Sequence, residues 1–117
     1  MKIHLILRVF AVLFLAVCFS ACESTPDLYS WGSYESQVYA RLRGDSSPYT
    51  QLGALEQDLE KIESGGKPVP PGFYAHLGLL YLETGNHAMA IACFREEKTR
   101  FPEAAAFMDF LLKDNGE

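Results

Sequence analysis

Few side chains here are of the kinds that do chemistry, and their spacing limits what they can do. The cysteines are Cys18, Cys22 and Cys93, and beyond the N-terminal segment the histidines are His76 and His87. His87 and Cys93 stand six residues apart, which on a helix puts them on different faces, so one helix cannot present both to one metal. Neither a Gly-x-Ser-x-Gly elbow nor a Cys-x-x-Cys pair occurs. Gly65-Gly66-Lys67 fails as a phosphate loop: the residue five before Gly66 is Lys61 rather than glycine, and Pro68 stands where a hydroxyl is needed. Glu56, Glu60 and Glu63 share one stripe and could hold a cation, but no turn of the chain crowds them, so a solvated helix face is expected. His76 adjoins Leu77-Gly78 and reads as a surface residue. Cys93 lies among Ile91, Ala92 and Phe94 and reads as a small buried hydrophobe, since a reactive thiol needs exposure and cationic neighbours. The inventory supplies no catalytic residue, no metal ligand, no cofactor and no small-molecule substrate, so an enzyme is not expected.

Cys22 is different because of what precedes it. Residues 1–21 read as a secretory signal, with Lys2 and Arg8 in a basic start and residues 9–19 (VFAVLFLAVCF) as the apolar stretch. That stretch is shorter than the ~20 residues a membrane-spanning helix requires. It ends in Phe19-Ser20-Ala21-Cys22, which resembles the lipobox of bacterial lipoproteins. There the cysteine sulfur takes a diacylglycerol, the chain is cut before the cysteine, and the new N-terminus is acylated. Cys18 follows the branched Val17 and suits that role less well. Glu23, not Asp, comes after Cys22, which by resemblance to bacterial sorting rules directs the product to the outer membrane, on its periplasmic face. Several acyl chains make a stable anchor where one is marginal. Residues 22–28 then form a lipidated cysteine and short tether. The five residues from Glu23 to Asp27 span at most about 17 Å, holding residues 29–117 close to the membrane.

The elements that must position anything else are helical. The chain has 117 residues, 49% of them hydrophobic, with a net charge of −5. That is one small domain with enough apolar content for a core, and its sign argues against nucleic acid. Cleavage before Cys22 leaves 96 residues at −7, because Lys2 and Arg8 go and no acid does. Residues 34–43 carry Tyr34, Val38 and Leu42 at steps of four, with Gly44 as a stop. Ser47 and Pro48 suit an N-cap and first helical position, and the following helix puts Leu52, Leu55, Leu59 and Ile62 on one stripe.

Residues 71–104 resemble one tetratricopeptide (TPR) repeat, a helix pair of 34 residues. Tyr74, Leu77, Gly78, Tyr81, Gly85, Ala90, Phe94 and Pro102 occupy its matching positions. Gly78 and Ala90 are small where helices approach closely, Gly85 suits a positive φ between them, and Asn86 suits the cap of the second. Glu97 replaces the usual second small residue, which predicts looser packing there. A last helix over residues 103–113 is expected to stack Phe107, Phe110 and Leu111 on the repeat and close its apolar end. The expected fold is all-α: a compact, five-helix, TPR-like α-α hairpin domain.

Several phrases together resemble the domain-of-unknown-function 4810 family of small bacterial lipoproteins. They are Tyr29-Ser30-Trp31-Gly32-Ser33-Tyr34-Glu35, Pro70-Pro71-Gly72, His76-Leu77-Gly78-Leu79-Leu80-Tyr81, Phe101-Pro102-Glu103 and Phe107-Met108-Asp109-Phe110-Leu111-Leu112. The resemblance implies a TPR-like periplasmic domain on a lipid anchor, with Cys22 as lipid acceptor and no catalytic residue. It also implies company, since members tend to be encoded beside a lipoprotein resembling the curli secretion channel and beside a second small lipoprotein. In TPR pairs the first helix lines a concave face, and the matching residues are Ala75, Leu79, Leu82 and Glu83. Leu79 and Leu82 can be plain core, can be covered by Leu28, Tyr29 and Trp31, or can take a partner peptide. Trp31 is open to the same readings, as core filler or interface anchor. The expected function is periplasmic docking and assembly of envelope proteins, other lipoproteins among them and a curli-channel-like complex in particular. The alternative is an envelope maintenance factor that regulates peptidoglycan synthesis through protein contacts.

Overall fold

The computed structural model describes residues 1–19 (for residues 15–19 the backbone alone) and 27–116. The expected Cys22 lipid site lies outside the described residues. All described regular structure is helical: α1 (Lys2–Phe19), α2 (Tyr34–Arg43), α3 (Pro48–Ser64), α4 (Phe73–Glu83), α5 (His87–Arg100), a 3-10 turn at Pro102–Ala104, and α6 (Ala105–Asp114). None of these helices is long and apolar enough to cross a membrane.

Local chemistry sets most of the boundaries. Ser47 accepts from the Thr50 N–H at 3.2 Å with Pro48 at the first helical position, and Asn86 Oδ1 accepts from the Met89 N–H at 3.2 Å. Each side chain satisfies one of the amide groups that a helix start leaves without an internal partner. Gly44 and Gly85 both have positive φ, as the sequence predicts for the ends of α2 and α4.

From α2 onward each helix packs on the next in chain order, and the α4–α5 pair shares the most extensive contact. Leu55 and Ile62 of α3, Phe73, Leu77 and Leu80 of α4, Ala90 and Phe94 of α5, and Met108, Leu111 and Leu112 of α6 form one core. Gly78 is needed for a more specific reason than close backbones. A Cβ there would lie 2.5 Å from the ring of Phe94, which is fully buried and has nowhere to go. The last helix turns a different face inward than expected. Met108, Leu111 and Leu112 are buried, whereas Phe107 and Phe110 are 55% and 63% exposed. Positions 108, 111 and 112 already make an inward helical stripe, and 107 and 110 fall beside it.

Two glycine-to-alanine substitutions should therefore change stability in opposite directions. Gly78→Ala is expected to cost about 1–3 kcal/mol by overpacking against Phe94. Gly53→Ala, in the interior of α3 with nothing within 4 Å of the new methyl, is expected to add about 0.5–1 kcal/mol. Urea unfolding of the full chain measures both.

Candidate functional site

The starts of α2 and α4 have a shared peculiarity. Neither N-cap side chain caps its own helix, and at Gly72 there is no side chain to do so. A carboxylate from the following helix serves instead. Asp58 of α3 accepts from the Ser33 N–H at 2.6 Å and also from the Ser33 hydroxyl. Glu97 of α5 accepts from the Gly72 N–H at 2.6 Å through Oε1 and from the Ala75 N–H at 3.3 Å through Oε2. Both carboxylates are buried, Glu97 to 2% exposure. This corrects the expectation of loose packing at Glu97, since a buried charge fully engaged with amides at a helix N-terminus fixes its neighbours. Gly72 has φ +86°, and a Cβ on it would lie 2.9 Å from the Tyr34 hydroxyl. Burial, with Glu97 adding to it, raises the Tyr34 pKa.

The two arrangements correspond residue for residue. Each amide–carboxylate pair is separated by 25 residues. Advancing every number by 39 takes Ser33 to Gly72 and Asp58 to Glu97, the start of α2 (Tyr34) to that of α4 (Phe73), and the cap Ser47 to the cap Asn86. The same step takes the buried Leu55 to the buried Phe94.

Aromatic rings fill the region around these starts. Tyr34 lies 5.5 Å from Phe73 and 5.9 Å from both Trp31 and His76, measured between ring centroids. Tyr29 joins Trp31 at 6.2 Å and Phe101 at 6.4 Å. Trp31 thus belongs to an aromatic row at the beginning of α4. Leu28, one of the residues offered as a cover for Leu79 and Leu82, is 71% exposed.

What crosses α4 on this side is an open groove of about 510 Å³. Tyr34 and Val38 of α2 form one wall, and Phe107 and Met108 of α6 with Phe101 and Glu103 form the other. Ala75, His76 and Leu79 lie between them, with Glu97 at the α4 start. Of the five residues proposed from the sequence, the structure brings Ala75 and Leu79 together here. Leu82 is half-buried against the core, Trp31 is in the aromatic row, and Glu83 is paired with Arg41. Arg41 Nη1 donates to Glu83 Oε2 at 2.9 Å and Nη2 donates to Oε1, which ties α2 to the end of α4. The pair holds the Glu83 carboxyl below its usual range.

His76 corrects the surface reading. It is 8% exposed, and its Nε2 is buried without a hydrogen-bond partner among the described residues. Burial first, and then Arg41, lower its pKa, against a smaller opposing effect of Glu83, so the ring is neutral at pH 7. No local pattern signals it, because a histidine within an apolar helix reads the same whether its face turns outward or inward.

On the opposite side of α4, two carboxylates expected to face only solvent have definite partners. Tyr81 Oη donates to Glu56 at 2.6 Å, and Tyr74 Oη donates to Glu63 at 3.1 Å. Burial pushes the Tyr74 hydroxyl up to about 12. Cys93 of α5 is buried, and burial raises its thiol to about 11, which keeps it protonated and unreactive. Among the described residues, no group of three or more His, Cys, Asp or Glu side chains could hold a metal ion.

Among the described residues, the helix stack thus presents an open groove with aromatic rings in its walls. The chain belongs to the family described as Domain of unknown function (DUF4810), whose model matches residues 28–111. No curated protein and no solved structure matches the chain significantly.

Two substitutions test the electrostatics of the site. Glu97→Ala leaves two helix-start amides without an acceptor and is expected to cost about 2–3 kcal/mol in urea unfolding, and Glu97→Gln less, since one acceptor oxygen remains. Because the folded pKa of His76 is lowered, the unfolded chain binds the proton more readily as pH falls below the ordinary histidine value of 6.5. The His76 contribution is thus fully present above that pH and lost below it. Melting temperatures of the parent and His76→Phe, compared from pH 7.5 to 5, should diverge, with the parent falling more.

Proposed function

We propose that the chain is an outer-membrane lipoprotein, anchored through Cys22, whose compact five-helix, TPR-like periplasmic domain docks and assembles envelope proteins. The groove across α4 is the observation that carries this reading. It is open, mostly apolar and walled by aromatic rings, as a peptide-recognition surface requires. Exposed Phe107 and Phe110 extend the apolar surface along α6. The correspondence of α2–α3 with α4–α5, at a step of 39 residues where a TPR repeat has 34, supports the repeated-hairpin part of the TPR-like reading. An 18-residue helix beginning just after Met1, with Lys2 and Arg8 in it, is compatible with a signal segment. The partner class we propose is another envelope lipoprotein, with a curli-channel-like complex as the foremost candidate.

Cross-linking in intact cells, followed by detergent extraction and mass spectrometry, tests the proposal. The expected result is stoichiometric recovery of an envelope lipoprotein or channel, together with an N-terminal peptide that starts at acylated Cys22. An unmodified N-terminus and no enriched partner would overturn both anchor and docking. Leu79→Asp and Phe107→Asp are each expected to abolish the cross-link. Normal thermal stability of the exposed Phe107→Asp variant separates lost binding from lost folding, and collapse of Leu79→Asp alone would assign Leu79 to the core.

A further inference from the structure

We infer that the occupant of the α4 groove is a cationic amphipathic segment of a partner protein. Its apolar side chains would lie on Leu79 and Phe107, a Lys or Arg would face Glu103, and a polar group would meet His76. The inference rests on the docking reading above and gives the partner its chemistry.

Charge is the first support. Two carboxylates, Glu97 and Glu103, line the groove, and no Lys or Arg does. Glu97 is engaged with the Gly72 and Ala75 amides, whereas Glu103 is exposed at the rim. Of the basic side chains on the surrounding helices, Arg95, Lys98 and Lys113 line a crevice between α5 and α6, Arg100 lies over the Tyr74 ring, and Arg41 of α2 is neutralised by Glu83. An acidic segment would meet only like charge in the groove, and a basic one would meet its complement.

His76 is the second support and is independent of the first. It lines the groove, is more than nine-tenths buried, and its Nε2 lacks a hydrogen-bond partner among the described residues. A buried polar atom without a partner is costly, and a ligand that supplies the missing bond recovers that cost on binding. The lowered pKa keeps the ring neutral, so it does not repel an incoming cation. Size is consistent as well, since a space of about 510 Å³ admits a few side chains of one segment.

The test uses the full chain in non-ionic detergent and two short fluorescent helical peptides with the same Leu and Ala positions. One carries Lys at every polar position and the other Glu. The lysine peptide is expected to bind about tenfold more tightly, with the preference shrinking as salt is raised. Glu103→Lys should remove the preference, and the uncharged Phe107→Ser should weaken binding of both peptides by removing the apolar contact. Both substituted residues are exposed, and circular dichroism confirms that the variants fold. Equal affinities, no binding of either peptide, or a preference unchanged in Glu103→Lys would overturn the inference. So would a concentration-dependent dimer abolished by Phe107→Asp, which would make a second copy the occupant. A photo-cross-linker at Phe107 in cells separates the two levels. A captured segment that is acidic sinks the cationic inference and leaves docking standing, whereas capture of nothing sinks docking itself.

Discussion

Two of the helices that lack a cap of their own, α2 and α4, are capped by a carboxylate from the helix that follows, and one side of the groove depends on those contacts. A helix start leaves amide groups without internal partners, and burying them unpaired is costly. At Gly72 the backbone turns through a positive φ that favours glycine, so the local chain offers no acceptor. Glu97 supplies it from α5, and in doing so fixes the start of α4 against the end of α5. Asp58 does the same for α2 from α3. The helices are thus joined by polar latches at their entries and by apolar contact along their lengths.

The latches set the geometry of the groove. Tyr34 stands immediately after the Asp58-held Ser33 and packs on Phe73, immediately after the Glu97-held Gly72. The relative position of α2 and α4 is therefore fixed at one end by rings and carboxylates and at the other by Arg41 and Glu83. The core side of α6 is apolar and packs on α5, and the Lys98–Asp109 ion pair joins the same two helices, so the second wall is placed by packing and one surface ion pair. Its outward phenylalanines are what remains when Met108, Leu111 and Leu112 take the inner stripe.

Much of this was legible in the residues. The helix pattern, the Ser47 and Asn86 caps and the Gly44 and Gly85 stops depend on contacts within a few positions, where type and spacing carry the information. Ala75 and Leu79 were reached through the TPR positions. Glu97, Glu56 and Glu63 were not legible as partners of amides or tyrosines, because a carboxylate 11 to 25 residues from its donor leaves no local signature. The correspondence of the two hairpins was hidden for a related reason. Val38 and Leu77, Leu55 and Phe94, Asp58 and Glu97 match in chemical kind and not in identity. The exposure of Phe107 and Phe110 turned on which of two adjacent stripes faced inward, a choice that α5 makes and α6 alone does not.

The lack of any buried residue in α2 has a mechanical consequence. The helix is held by an ion pair, a carboxylate latch and partly buried rings, while α4 sits in the middle of the core. Segments with few buried contacts open at lower free energy than those at the centre of a fold. The groove accordingly has a stiff floor and one compliant wall, and that wall's attachment softens as ionic strength rises. A visitor that seats against α2 would lose conformational entropy in quieting it, so its residence time would be governed by the salt of the compartment as well as by its own fit.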